Sequence, residues 1–255
     1  PFVPFKKFIE MPRFYIPPSA WKIDDLVLDA AEAHHCRDVL RLGKGARATV
    51  FNGRGVEATV ELGEPVRDRI PLKVLHQMRS APLQAQITLG QAIPKGKNME
   101  LIVEKATELG VSAIAPLISE RTIVQIDSGE AARKQEKWQR VSIEAAKQCG
   151  QNWLPEIQMP QTPKAFFEGA PKFDLMLIAS LQHDAMHLKK LLAEFGPKLP
   201  TRVLVLVGPE GDFTPAELAL AKTAGCRPIT LGPIILRTET AALYCLSVLS
   251  HELLG

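Results

Sequence analysis

The sequence predicts an α/β domain built on a parallel sheet, preceded by a small domain of short β-strands. Three observations carry this. From residue 85 onward, short β-branched runs alternate with longer helical patterns, the order of a parallel sheet wrapped by helices. Val203-Leu-Val-Leu-Val207 is apolar without interruption, as a strand covered on both faces must be. Residues 14–77, by contrast, hold mainly short strand signals and a glycine-rich turn.

At 255 residues, 46% hydrophobic and 23% charged, the chain has room for one large or two modest domains. No apolar run approaches the roughly 20 residues that span a bilayer, so a soluble protein without membrane contact is expected. Cys36, Cys149, Cys226 and Cys245 are widely spaced and form no Cys-x-x-Cys pair, which points away from zinc and from a disulfide framework. Reduced core thiols in a cytoplasmic, metal-free protein are the expectation. A net charge of +3 and a pI near 8.7 are too mild to indicate a nucleic-acid partner, so any such surface must come from local clusters.

Residues 1–10, with basic residues and phenylalanines, read as an extension or vector remnant ahead of the fold. Residues 11–77 form the small β-domain. Strands over 47–51 and 56–60 flank Asn52-Gly-Arg-Gly55, a hairpin turn whose asparagine and glycines suit positive φ. A third strand covers 72–76, and 29–42 reads as a short helix ended by Gly43. Arg13, Arg37, Arg41 and Arg54 are its candidate ligand-facing cations, since arginine serves phosphate recognition better than lysine, with ordinary surface charge the alternative for each. His34 and His35 have no partner at metal-ligand spacing. Residues 78–84, containing Ser80-Ala-Pro82, read as a linker.

Residues 85–255 form the α/β domain. Strands are predicted over 85–91, 113–118, 174–179 and 202–207. Helices are predicted over 98–109 closed by Gly110, over 130–149 closed by Gly150, and over 184–195. Lys95-Gly96-Lys97 precedes a helix start, where amides and dipole already attract anions, so two lysines there point to a phosphate contact. Arg121 follows the carboxyl end of a strand and is a second such residue. The cations of 130–149 suit a solvated face as well as an anionic partner.

Gly208-Pro-Glu-Gly211 makes a tight turn after the central strand. Thr214-Pro-Ala-Glu217 then combines an N-cap threonine, a proline at the first helical position and a glutamate at N3, so a helix begins. Further on, Leu236-Arg-Thr-Glu-Thr-Ala241 opens another helix. Capping explains Thr238 and Glu239 but not Arg237, a cation set against the helix dipole.

Gly208-Pro-Glu-Gly, Leu231-Gly and Ile235-Leu-Arg-Thr-Glu-Thr-Ala241 together resemble the signature of the RsmE family. These are SPOUT-class methyltransferases that modify N3 of a uridine in 16S ribosomal RNA of the small subunit. The resemblance continues through Pro12-Arg-Phe-Tyr, Lys95-Gly-Lys, Glu104-Lys-Ala-Thr-Glu-Leu-Gly-Val111, Ser119-Glu-Arg-Thr122 and Glu144-Ala-Ala-Lys-Gln-Cys-Gly150, covering nearly the whole chain. Two positions depart from it: Asp212 stands where the family usually has a second glycine, and Gln151 where it usually has arginine.

The resemblance implies a PUA-like RNA-binding barrel followed by a SPOUT domain tied in a C-terminal trefoil knot. It also implies a homodimer acting on 16S ribosomal RNA, with S-adenosyl-L-methionine as cofactor. Sequence physics alone favours an unthreaded sheet. The cofactor site it implies comprises Ala179, Ser180 and Leu181, then Val207, Gly208, Pro209, Glu210 and Gly211, then Leu231, Gly232, Ile235, Leu236, Thr238 and Thr240. Uracil N3 gains nucleophilicity on losing its proton, which places charge on the ring carbonyls. A guanidinium would stabilise that charge, with Arg237 the first choice and Arg13 the second. Glu210 could take the proton or shape its loop. Lys95, Lys97 and Arg121 join the four barrel arginines as RNA contacts. An enzyme using the glycine turn for a nucleotide phosphate is a competing reading, but both phosphate-loop fingerprints are absent. A non-catalytic RNA-binding or ribosome-assembly factor on the same fold is the other.

Overall fold

The structure, a computed structural model, describes residues 11–122, 127–196 and 198–254. The residues read as an N-terminal extension lie outside the described residues. The chain divides into two compact units, one running to Pro82 and taking in Ala146–Leu154, the other comprising Leu83–Ala145 and Pro155–Gly255.

The first unit is a five-stranded sheet of β1 (Arg13–Tyr15), β2 (Val27–Asp29), β3 (Arg47–Phe51), β4 (Val56–Leu62) and β5 (Arg69–Arg79), ordered β1-β3-β4-β5-β2. Alternation along β4 puts Ala58, Val60 and Leu62 inside. They meet Phe14, Leu28, Val50 and Ile70 in one core, each such side chain contributing on the order of 2 kcal/mol. β5 continues into the stretch read as linker because Met78 and Arg79 pair with Glu57 and Val56.

Two local expectations are corrected here. The helix α1 (Ala30–His34) continues as a π-helical turn over His35–Val39, and it is not Gly43 that ends it. Arg41 takes the left-handed conformation (φ 54°), and the amide of Leu42 reaches back to the carbonyl of Cys36 at 3.0 Å. In the hairpin, Gly53 and Gly55 carry the positive φ and Asn52 does not. Asn52 Oδ1 instead accepts from the amides of Arg54 (2.8 Å) and Val56 (3.2 Å), holding the turn from inside. The glycines also permit close approach: a Cβ on Gly55 would lie 2.6 Å from Trp153, whose Nε1 donates to Ser80 O.

The second unit holds a seven-stranded, wholly parallel sheet. Its elements are β6 (Gln86–Ala92), α2 (Asn98–Glu108), β7 (Ala113–Leu117), α3 (Ser128–Cys149), β8 (Glu156–Ile157), α4 (Pro163–Gly169), β9 (Leu175–Ala179), β10 (Met186–His187), α5 (Leu188–Ala193), β11 (Arg202–Val207), α6 (Pro215–Thr223), β12 (Arg227–Thr230) and α7 (Thr238–Leu254). The order β10-β12-β9-β11-β6-β7-β8 places β11 at the centre. Val203, Val205 and Val207 face a core shared with Ile102, Leu246 and Leu249 of α2 and α7. Leu204 and Leu206 face the opposite core, with Phe166 of α4 and Leu218 of α6. Both faces are covered, which is why the strand carries no polar residue after Arg202.

The helix expected over 184–195 is shorter, because Met186 and His187 pair with Ile229 and Thr230. Backbone pairing with a strand remote in sequence outweighs local helix propensity there. Of the four cysteines, Cys149 is exposed rather than a core thiol, and no disulfide forms among the described residues. Burial pushes the thiols of Cys226 and Cys245 up to about 12. No described helix is long and apolar enough to cross a membrane, and no metal-holding cluster occurs among the described residues.

Candidate active site

Three adjacent strands, β12, β9 and β11, end side by side, and the segments that follow them enclose a cavity of about 300 Å³. Crevices beyond the carboxyl ends of parallel strands are where such sheets take ligands. β9 contributes Ala179 and the following Ser180 and Leu181; β11 leads into Val207 to Glu210 and Asp212; the connection from β12 to α7 supplies Leu231, Gly232, Ile234, Ile235, Leu236 and Arg237. Thr238 and Ala241 on the first turn of α7 close it.

These segments are shaped by their own chemistry. Glycine at 232 accommodates φ of 112°, with nothing within 4 Å of where a Cβ would stand. Gly208 is favoured for a different reason, since a Cβ there would lie 3.1 to 3.2 Å from atoms of Asp212 and Phe213 in the same turn, which would have to give way. Asp212 takes φ 60°, a conformation aspartate tolerates better than most residues, and its Oδ1 accepts from the amide of Phe213 at 2.7 Å. Downstream, the capping box of α6 forms in full: Thr214 Oγ1 accepts from Glu217 N, and Glu217 Oε2 accepts from Thr214 N.

Most residues expected to share a site are thus brought together. Gly211 and Thr240 do not line the cavity. Gly211 packs against Arg121, whose Nη1 donates to its carbonyl, and Thr240 is exposed on α7. Arg237 borders the cavity, exposed, and its guanidinium has no hydrogen-bond or ion-pair partner among the described residues. Glu210 also lines it, and its Oε1 accepts the amide hydrogen of Lys95 at 2.9 Å. Ile234, Asp212 and Ala241 join the lining without having been expected there.

Gln91 is another residue that sequence reasoning missed. Fully buried at the end of β6, it donates from Nε2 to Ala92 O and to Thr238 Oγ1, while its Oε1 has no partner. A glutamine near the carboxyl end of a buried strand was the available signal.

The cations separate by unit. In the second, Lys95 and Lys97 are exposed before α2, and Arg121 is spent on Gly211. In the first, Arg37, Arg41 and Arg54 are exposed, Arg37 being paired with Asp38 at 2.9 Å. Arg13 departs from expectation. Its side chain is only 6% exposed, paired with Glu57 (3.1 Å) and Asn152 Oδ1 (2.7 Å), with the guanidinium over the Phe51 ring. Both terminal nitrogens are thus engaged within the residue's own unit, while the buried Nε has no partner among the described residues. Gln151, at the position of the family's arginine, offers its carbonyl to the same group.

The family models agree with this architecture: an RNA methyltransferase domain matches residues 81–250 and an RNA methyltransferase PUA domain matches 28–75. The ribosomal RNA small subunit methyltransferase E of Bacillus subtilis is 30% identical over 250 residues, covering 95% of this chain and 97% of that protein. Its counterpart in Synechocystis is 32% identical, covering 92% of this chain and 75% of the relative. Among solved structures, a Legionella pneumophila protein in complex with bound SAM superposes with a TM-score of 0.86 at 34% identity, covering 96% of this chain and 98% of that one. Ribosomal RNA small subunit methyltransferase E from Neisseria gonorrhoeae, bound to S-adenosyl methionine, gives 0.82 at 32% identity, covering 95% and 98%. The chain therefore belongs to the ribosomal RNA small subunit methyltransferase E family.

Proposed function

We propose that this protein uses S-adenosylmethionine to methylate N3 of a specific uridine in 16S ribosomal RNA. The observation that carries the reading is the cavity at the ends of β12, β9 and β11. Its walls are largely apolar, from Ala179, Val207, Leu231, Leu236 and Ala241, and suit a flat base. The main-chain N–H groups of Ile235 and Leu236 have no partner among the described residues, so they are available to a nucleoside. Ala179 to Leu181, Val207 to Pro209, Leu231, Gly232, Ile235, Leu236 and Thr238 are the residues that would hold it, while the Glu210 carboxylate at the cavity's edge is engaged by the Lys95 amide. When bound, S-adenosylmethionine supplies an activated methyl group on a positively charged sulfur.

The chain's own part is orientation and charge. Arg237, unpaired at the cavity's edge, is the residue we assign to the negative charge on the uracil carbonyls once N3 has lost its proton. Its position before α7 opposes the helix dipole and is explained by such a negatively charged partner. Arg37, Arg41, Arg54, Lys95 and Lys97 are the exposed cations proposed to meet RNA phosphates.

A homodimer in the cytoplasm, acting on the small ribosomal subunit, completes the reading. Ile234 and Ile235 are 74% and 76% exposed beside the cavity, apolar surface that a second copy would cover. A knotted C-terminus is what the family resemblance implies, and the packing of α7 on α2, β6 and β11 is consistent with it.

Calorimetry with S-adenosylmethionine and with ATP, followed by mass mapping of 16S ribosomal RNA treated with protein and methyl donor, tests the proposal. Donor binding, no ATP binding and one new methyl on a uridine base are expected. RNA binding without donor binding would replace the reading with that of an assembly factor.

A further inference from the structure

We propose that Glu210 is a positioning residue: its carboxylate fastens the Lys95-Gly96-Lys97 loop to the turn that lines the cavity, so that pocket and lysines meet the substrate as one unit. The inference rests on the functional reading above and deepens it.

The tip of the loop between β6 and α2 has little to hold it. Lys95, Gly96 and Lys97 are exposed, Gly96 has φ 65° with open space around it, and neither lysine side chain has a partner among the described residues. Three contacts hold the loop from outside, the first at its buried start, where Ile93 N donates to Leu117 O at 2.9 Å. Glu210 Oε1 accepts the Lys95 amide hydrogen at 2.9 Å, and Glu239 accepts from Asn98 Nδ2 at 3.3 Å. Glu210 and Glu239 lie on the two segments that follow β11 and β12, which also wall the cavity.

The other side of the same turn is tied in parallel. Arg121 donates to Gly211 O, and the amide of Glu120 donates to Glu217 Oε1 at 2.9 Å. Glu217 is 8% exposed and simultaneously caps α6. The segment from Gly208 to Glu217 is therefore where two exposed loops bearing Lys95, Lys97 and Arg121 are both anchored. An anion-binding loop held in place before the anion arrives loses less ordering entropy on binding. Sites joined through one such element are also coupled reciprocally.

A positioning carboxylate and a proton acceptor differ in what replaces them. Glutamine keeps an oxygen that can accept the Lys95 amide hydrogen but cannot take up a proton; alanine does neither. The experiment compares wild type, Glu210→Gln and Glu210→Ala. RNA affinity is measured without donor, along with its salt dependence, KM and kcat for RNA, donor affinity and the pH profile of kcat. For Glu210→Ala we expect RNA affinity to fall and KM for RNA to rise about tenfold, the scale of one net hydrogen bond, with donor affinity moving far less. The salt slope should fall with it, by about one phosphate contact.

Glu210→Gln should recover most of the loss with an unchanged pH profile. Adding Lys95→Ala and Lys97→Ala to Glu210→Ala should cost less than the separate effects combined, because the changes share one loop. Loss of kcat in Glu210→Gln as deep as in Glu210→Ala would make Glu210 the proton acceptor and overturn the proposal, as would unaltered RNA affinity in Glu210→Ala. Failure of the wild type to bind donor would instead remove the functional reading, and the RNA affinities would still report on the loop.

Discussion

Thr238 Oγ1 donates to the carbonyl of Gly208 at 2.6 Å while accepting from Gln91 Nε2 at 3.0 Å. This buried relay joins the end of β6, the turn after β11 and the start of α7, elements far apart in sequence. It ties the cavity wall to the helix N-terminus.

Thr238→Val keeps the shape of the side chain and removes both bonds. Gly208 O and Gln91 Nε2 are left without this partner in a buried setting, at about 1–3 kcal/mol for each unsatisfied group. We expect a melting temperature lowered by several degrees together with weakened donor binding by calorimetry. Thr238→Ser should retain most of both.

Arg237→Ala should leave donor affinity within a few-fold and reduce turnover roughly 100-fold or more, the scale of removing one donor aimed at developing charge. Single-turnover methylation of the ribosomal RNA reads this directly. Unchanged turnover would strike Arg237 from the catalytic assignment.

The two glycines of the cavity should fail differently. Gly232→Ala meets no neighbour but must adopt φ near 112°, a strain of order 1–3 kcal/mol that calorimetric melting should register. Gly208→Ala pushes against its own turn and should act chiefly on donor affinity. Asp212→Gly, which relieves a positive φ and gives up the bond to Phe213 N, should change stability by less than about 1 kcal/mol.

Asp174 supplies the pH-dependent prediction. Its Oδ2 accepts from Arg202 N (2.9 Å), Thr201 Oγ1 (2.9 Å) and Thr201 N (3.0 Å), and these bonds, that from Arg202 foremost, hold its pKa below the ordinary 3.8. A depressed carboxylate adds stability above its unfolded value and loses it as pH falls through the folded one. The melting-temperature gap between wild type and Asp174→Asn should be full at neutral pH and close as pH drops below about 4.

Local chemistry was legible from the chain. Thr214, Pro215 and Glu217 determine a helix start with bonds no longer than three residues, and the apolar run before them determines a strand covered on both faces. β12 was not legible, because Arg227-Pro-Ile-Thr has weak strand character and is held by its pairing with β9. α4 was overlooked although Thr162 and Pro163 carry its cap, with Ala165 N donating to Thr162 Oγ1.

By itself, then, the sequence determined the central strand, the glycine turn after it and the capped helix that follows, and, through the resemblance of its motifs, which turns belong to one site. Only the tertiary structure decided that Arg13 is turned inward onto Glu57 and Asn152, and that Glu210 holds a loop 115 residues away. Capping and periodicity act within a few residues. A side chain's hydrogen-bond partner depends on which remote segments the sheet order brings beside it.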